Sequence, residues 1–355
     1  MSEAPRYVTV EDYFPVARAA VSSEVWDYYE GGAGDEWTLA ENRKAFDRWM
    51  LRPRFLRGAG SPDTSTSVLG TSLRFPVAVA PWAYQRLAHP DGELATARAA
   101  AAAGTLMVVS STTESFLEEV AAASEGTKWW QLYVAQDRGF TEAMLERVVS
   151  AGYAAICWTV DFPVSGLRHR DTRSGFVMPI GIGASDYLFD ASLNWDDLGW
   201  IKDRAPGLPV VVKGLLTAED AELAVQAGAD AIVVSNHGGR QLDRSPAGLD
   251  ALPEVAAQVS GRVPVLVDGG VRRGTDVLTA LALGASAVLV GRPAIWGLAA
   301  EGERGVAGVL EILRSEFENA MALTGCRSVE EIGPALVTPA PSLGGPGARS
   351  GTIGI

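Results

Sequence analysis

Cysteine is scarce in this chain. The 355 residues hold only Cys157 and Cys326, which lie far apart and match neither a Cys-x-x-Cys pair nor a Cys/His metal spacing. A disulfide scaffold and structural zinc are therefore not expected, and no metal is assigned. Histidine is almost as rare, with His89, His169 and His237 alone. Positive charge is in deficit: 30 Lys and Arg face 43 Asp and Glu, a formal net charge of −13 at pH 7. Such a surface disfavours long-range attraction to nucleic acid or an anionic membrane, so an anionic substrate needs a local cationic pocket. No apolar run reaches the roughly 18 residues that a transmembrane helix needs. Met1–Val10 has no basic-then-apolar leader pattern, and Gly351–Ile355 ends in neither Ser-Lys-Leu nor a CaaX box, which makes the cytoplasm the expected location.

What the chain does have is a repeated unit. Hydrophobic residues make up 47% of it, enough for a large core, and its length suits either two ordinary domains or one large α/β barrel. From Pro76 onward short apolar runs alternate with Ala/Leu/Glu-rich helical stretches. The expected strands are Pro76–Ala80, Leu106–Ser110, Trp129–Val134, Ala154–Asp161, Pro209–Gly214, Ala231–Asn236, Pro264–Gly269 and Ala287–Gly291. Continuous apolar strands suit a parallel sheet covered on both faces, and eight β-α repeats suit closure into a (β/α)8 TIM barrel, with a doubly wound open sheet as the alternative. Glycines punctuate the helix ends at Gly104, Gly152, Gly228 and Gly284. The reading is one domain over 1–355: N-terminal helices in 1–75, a barrel in 76–338 and an irregular tail in 339–355. Within the first part, residues 11–50 read as two or three helices with a turn at Gly31–Gly34. The interval from Ala154 to Pro209 is too long for one helix, and roughly Phe162–Asn194 reads as a lid loop after the fourth strand.

Polar groups collect at the strand ends, where barrels of this kind place their chemistry. Ser110, Gln131 with Tyr133, Thr159 with Asp161, Lys213, Ser235–His237, Asp268 and Arg292 all end strands. The run Asp268-Gly-Gly-Val-Arg-Arg-Gly-Thr-Asp276, followed by Gly291-Arg-Pro293, puts glycines and arginines on the last two loops. That pattern suits a phosphate site, with backbone N–H groups, a helix N-terminus and Arg272 or Arg292 as partners. The run Ser235-Asn-His-Gly-Gly-Arg-Gln-Leu-Asp243 carries His237, an imidazole placed for proton transfer, and Arg240, whose planar fork suits a carboxylate. His89 and His169 read as structural.

On these runs, together with Asp27-Tyr-Tyr, Asp35-Glu-Trp-Thr-Leu-Ala-Glu-Asn42, Gln131-Leu-Tyr133, Thr159-Val-Asp161 and Val212-Lys-Gly214, nearly the whole chain resembles the FMN-dependent (S)-2-hydroxy acid oxidases and dehydrogenases. These include enzymes that oxidise glycolate, lactate and mandelate. The resemblance implies FMN at the barrel mouth, with its phosphate on Gly270, Arg272, Gly291 and Arg292 and its ribityl chain on Asp268. It implies ring contacts from Ala80, Pro81 and Ala83 and from Ser110, Gln131, Thr159, Lys213 and Ser235. Tyr28, Arg168 and Arg240 would hold the substrate carboxylate, Tyr133 would bond its hydroxyl, His237 would be the base, and Asp161 would orient His237. A homo-oligomer, a tetramer, is also implied.

Two positions depart from the family pattern. Pro81-Trp82-Ala83 replaces a common small trio, and Thr112 stands where several members carry an aromatic residue. Trp82 is therefore expected over the substrate side of the flavin, or else packed on the barrel rim. The lid also looks shorter than in glycolate oxidases. The Ala83-Tyr-Gln-Arg-Leu run resembles hydroxymandelate oxidases, which favours an aryl substrate. The expected reaction is oxidation of an (S)-2-hydroxy acid to the 2-oxo acid, with O2 as acceptor. A quinone-linked dehydrogenase, an FMN enzyme acting on an amine or another substrate, and a flavin binder without catalysis remain alternatives.

Overall fold

The computed structural model describes residues 6–177 and 189–341. Its centre is a closed, parallel, eight-stranded barrel. The strands are β1 (Val77–Val79), β2 (Met107–Ser110), β3 (Lys128–Leu132), β4 (Ile156–Thr159), β5 (Val210–Leu215), β6 (Ala231–Val234), β7 (Val265–Asp268) and β8 (Ala287–Val290). The seam closes where Val288 of β8 pairs with Val77 of β1, which excludes the open-sheet alternative. The observed strands are shorter than the sequence runs because the flanking residues already turn into loops.

Alternation along each strand explains the two faces. Ala78, Val108, Trp129, Cys157, Val211, Val233, Leu266 and Leu289 pack together inside the barrel. Their neighbours Val79, Val109, Trp130, Trp158, Val212, Ile232, Val267 and Val290 face the helices. Full burial of each such side chain stabilises the fold by roughly 1.5–3 kcal/mol. Gly104 ends helix Gly92–Ala103 with φ 70°, a left-handed cap that releases the chain into β2.

Helices Tyr13–Ala20, Ser23–Glu30 and Trp37–Asp47 precede the barrel, in agreement with the sequence. Two short sheets were not foreseen. Thr66–Val68 pairs with Thr71–Leu73, and this hairpin sends Val68 and Leu73 into the interior cluster. Trp49–Leu51 pairs antiparallel with Val337–Pro339. Pro339, expected to open an irregular tail, is therefore the end of a strand; residues 342–355 lie outside the described residues. Within the expected lid, His169–Ser174 forms a short helix and Phe189 bridges to Ala135. Residues 178–188, which include its Gly181-Ile-Gly183 segment, lie outside the described residues. No helix among the described residues is long and apolar enough to cross a membrane.

Candidate active site

The strand C-termini open into a cavity of about 240 Å3. Helix Trp37–Asp47 closes one side of it, held to the loop after β6 where Thr38 N donates to Asp243 Oδ1 at 2.9 Å. Cavity walls include Tyr28, Ala80, Pro81, Trp82, Ala83, Ser110, Gln131, Tyr133, Thr159, Arg168, Lys213, His237, Arg240, Asp268, Gly270, Arg272, Gly291 and Arg292. Ser235 and Asp161 stand behind that wall and act on groups that form it.

One end is a chain of proton-bearing groups. His237 Nδ1 lies 2.8 Å from Asp161 Oδ1, and its Nε2 lies 3.3 Å from Tyr133 Oη. A carboxylate at Nδ1 fixes the proton there and leaves the Nε2 lone pair toward the cavity. Gln241 Nε2 donates to the Asp161 backbone carbonyl at 2.8 Å and so ties the β4 loop to the β6 loop. Burial lowers the pKa of His237 against the pull of Asp161, so the imidazole is neutral at pH 7. For Asp161 burial works against ionisation, yet His237 and Lys213 prevail and hold the carboxylate below its usual range. Burial, then Asp161, drives Tyr133 well above 10, which keeps it a neutral phenol. His237 itself sits at φ 59°, a left-handed conformation that costs a residue with a Cβ about 1–2 kcal/mol.

Beside this chain stand the cations that the overall composition lacks. Arg240 Nη1 donates to the carbonyls of Tyr28 (2.6 Å) and Gly31 (3.0 Å), and its guanidinium lies 5.0 Å from the Tyr28 ring centre. Arg168 lies 5.8 Å from the same ring. Burial, then repulsion from Arg168, pushes Arg240 down to about 9; burial, then Arg292, pushes Arg272 down to about 10. These shifts describe buried like charges awaiting an anion.

At the other end Gly269 and Gly270 have φ of 92° and 85°, and a Cβ on Gly270 would collide with the Asn42 carbonyl. Only glycine fits there. Arg292 Nη1 donates to Gly238 O at 3.0 Å and Nη2 to Gly31 O at 3.1 Å, while its buried Nε faces Glu30 Oε2 at 4.0 Å and makes no hydrogen bond among the described residues. The two helices starting here differ. Helix Gly274–Ala282 has its first N–H groups occupied: Asp276 accepts from Arg272 N and Arg273 N, and Glu316 accepts from Gly274 N. Helix Arg292–Glu301 has no side-chain cap. The open positive helix end is therefore the one after β8, which settles a choice between the two helices that the glycine pattern had left unmade.

Between the two ends lies a row of incompletely paired polar groups. Gln131 Oε1 accepts from Ser110 Oγ (3.1 Å), which turns its Nε2 into a buried donor without a partner. Thr159 Oγ1 and Asp268 Oδ1 are likewise buried, with no hydrogen-bond partner among the described residues. Lys213 Nζ bonds Ser235 Oγ at 2.9 Å and pairs with Asp268 at 3.2 Å. Burial alone would lower Lys213, but Asp268 and Asp161 outweigh it and hold the ammonium above its usual pKa. Each unpaired buried group costs about 1–3 kcal/mol unless a ligand meets it. The set fits a ligand with a polar heterocycle, hydroxyls and a phosphate.

Trp82 lies between Arg240 (5.5 Å) and Arg292 (5.7 Å) and packs against Gly291. It lines the cavity and also packs on the β8 loop. Thr112 Oγ1 lies 2.9 Å from Ser110 Oγ. Sequence reasoning missed Phe162 and Phe189, whose rings pack with Tyr133 at 4.8–5.2 Å into an aromatic wall. It also missed Leu39, Asn42 and Tyr84 on the cavity lining. The Asp35–Asn42 run carried a signal for Asn42, since a polar residue inside an amphipathic helix needs a partner.

A family model described as FMN-dependent dehydrogenase matches residues 17–339. The L-lactate oxidase of Nostoc sp. is 48% identical over 352 residues, covering 92% of this chain and 96% of the relative. The glycolate oxidase of Spinacia oleracea is 47% identical over 363 residues, covering 96% and 98%. A solved mandelate oxidase variant with (S)-mandelic acid superposes with a TM-score of 0.90 at 44% identity, covering 95% of this chain and 99% of that one. The chain thus belongs to the FMN-dependent dehydrogenase family, among the FMN enzymes that oxidise 2-hydroxy acids.

Proposed function

We propose that the chain oxidises an (S)-2-hydroxy acid bearing an aryl group to the 2-oxo acid, with O2 as acceptor and H2O2 as co-product. The observation that carries this reading is the Asp161–His237–Tyr133 chain, at 2.8 and 3.3 Å, beside the buried cation Arg240. Arg240 and Arg168, with the neutral phenol of Tyr28, hold the substrate carboxylate and fix the α-carbon in register. Tyr133 donates a hydrogen bond to the substrate hydroxyl. His237 Nε2 takes the substrate proton, and Asp161 stabilises the imidazolium that results, as in an Asp–His pair of a hydrolase triad.

FMN, when bound, supplies the acceptor of the two electrons that leave the α-carbon. Its phosphate belongs on Arg292, Arg272, Gly270 and the open helix end after Gly291. Gln131, Thr159, Lys213 and Ser110, with the backbone of Ala80–Ala83, belong along its ring, and Asp268 along its ribityl chain. Ser235 supports Lys213 from below. The aryl preference is supported by the Phe162–Phe189–Tyr133 wall, by Trp82 on the lining, and by the solved mandelate oxidases, one with (S)-mandelic acid and one with benzoyl-formic acid. An aryl ring buries well over 100 Å2 and gains stacking with such neighbours.

Anaerobic mixing of the purified protein with (S)-mandelate, (S)-lactate and glycolate, read by bleaching of the flavin band, tests substrate class. Readmission of air tests the acceptor. The reading requires faster bleaching by mandelate and one H2O2 for each 2-oxo acid; preference for lactate overturns the aryl assignment, and absence of H2O2 overturns the acceptor.

A further inference from the structure

The backbone that carries His237 is held from outside its own loop. His237, Gly238 and Gly239 follow one another with φ of 59°, 64° and 75°, left-handed at all three, and His237 lacks the freedom of the glycines there. The turn is pinned at both ends. His237 N donates to Ser235 Oγ at 3.0 Å, and Gly239 N donates to Asn236 Oδ1 at 3.0 Å. On its other side Asn236 Nδ2 donates to the Pro246 carbonyl at 2.9 Å. If the Asn236 amide turned over, its oxygen would face a carbonyl and its NH2 would face an N–H, and the pin on Gly239 would be lost together with the bond to Pro246.

Asn42 braces that amide from the other side. Its Nδ2 donates to Asn236 Oδ1 at 3.0 Å and its Oδ1 accepts from Asn236 Nδ2 at 2.8 Å. Gly239 N and the Pro246 carbonyl set the sense of the pair, and its two bonds then hold the Asn236 side chain in place. Asn42 is 3% and Asn236 4% exposed, so bulk water does not replace a lost bond. Asn42 comes from helix Trp37–Asp47, before the barrel, and its backbone carbonyl lies against Gly270 in the other half of the site.

We propose that Asn42 is a positioning residue for proton transfer: through Asn236 it holds His237 in the left-handed turn from which the imidazole meets Asp161 and Tyr133. The proposal rests on His237 being the base. It assigns the hydrogen bonds of the Asn42 side chain to the base loop; against the phosphate loop the amide only packs, at Gly269, and the backbone carbonyl lies against Gly270. Removing the amide therefore disturbs proton transfer and leaves cofactor retention nearly intact.

The test uses FMN-loaded Asn42→Ala, Asn236→Ala and the double variant, with three readouts: anaerobic flavin bleaching, substrate Kd from the same traces, and FMN Kd by flavin fluorescence. Asn42→Ala is expected to slow bleaching by about 10- to 100-fold, the usual loss for a misaligned catalytic group. Substrate Kd stays within about twofold and FMN Kd within about threefold. In the Asn236→Ala background, adding Asn42→Ala changes the rate by less than about twofold, because both act on one turn. Asn42→Ser, which keeps one hydroxyl for Asn236, falls between wild type and Asn42→Ala and serves if the alanine variant does not fold. The proposal is overturned by losses that multiply in the double variant, by FMN release that grows in step with the rate loss, or by a wild-type rate in Asn42→Ser. His237→Ala measured alongside separates two failures. A normal rate there removes the base reading itself, whereas a crippled His237→Ala beside a normal Asn42→Ala removes only the positioning role.

Discussion

The two ends of the cavity are built on different physics. At the β7/β8 end the anchor is backbone and charge: Gly269, Gly270 and Gly291 bring the chain close, and Arg272 and Arg292 add cations from two contiguous runs. At the β4/β6 end the work falls to side chains whose angles matter. Asp161, His237 and Tyr133 come from three different strand ends, and Tyr28 comes from a helix before the barrel. A site for a charged group tolerates small displacements because Coulomb attraction falls slowly with distance. Proton transfer does not, because a hydrogen bond weakens steeply when bent.

That contrast is open to attack by mutation, and the largest effect belongs to the base. His237→Ala is expected to slow flavin reduction by about two to four orders of magnitude while the protein stays yellow; loss of the cofactor in this variant would erase the division between the ends. Arg292→Ala is the mirror case. It should weaken FMN binding by about 10- to 100-fold, the worth of a charge-assisted contact, and, because its Nη1 also holds Gly238 in the His237 turn, slow the loaded enzyme far less than His237→Ala does. Trp82→Thr tests the residue that touches both ends. Discrimination between mandelate and lactate, measured as a ratio of kcat/KM, should fall by about 5- to 150-fold, corresponding to roughly 1–3 kcal/mol, and an unchanged ratio confines Trp82 to packing.

The smallest effect is a displacement along the pH axis. Burial holds the His237 pKa below the usual 6.5, with Asp161 opposing. The neutral imidazole is the base, so kcat/KM is flat above that lowered pKa and falls as pH drops through it. Asp161→Asn removes the charge that raises the pKa, so the acid limb should move to still lower pH while the plateau drops. An acid limb that moves upward in this variant contradicts the pairing.

The β7/β8 end was legible in the sequence because its determinants are local. Glycines that permit close approach and arginines that follow them sit within a few residues of one another, and the barrel was legible because eight apolar runs repeat with helices between them. The hairpin Thr66–Leu73 was not, since its polar, three-residue strands carry too little alternation to register. Phe162 and Phe189 escaped because they flank a loop whose path no periodicity specifies. Asn42 gave only the hint of a polar residue in a buried helix; its partner Asn236 lies 194 residues away, and one sequence carries no trace of such a pairing. Which helix end is left open was equally illegible, since Glu316, which occupies Gly274 N, comes from the distant helix Glu303–Thr324.

Helix Trp37–Asp47 leaves the ribosome before every strand of the barrel, yet the contacts that hold it come from the second half of that barrel. Thr38 bonds Asp243, Asn42 bonds Asn236 and Arg43 bonds Asp276, while Trp49–Leu51 awaits Val337–Pro339. Until β6 and β7 have been synthesised, the buried face of this helix has nothing to dock on. The active site is therefore assembled late in biogenesis, by closing very long loops, and a nascent chain stalled before residue 236 exposes the helix that later seals the cavity.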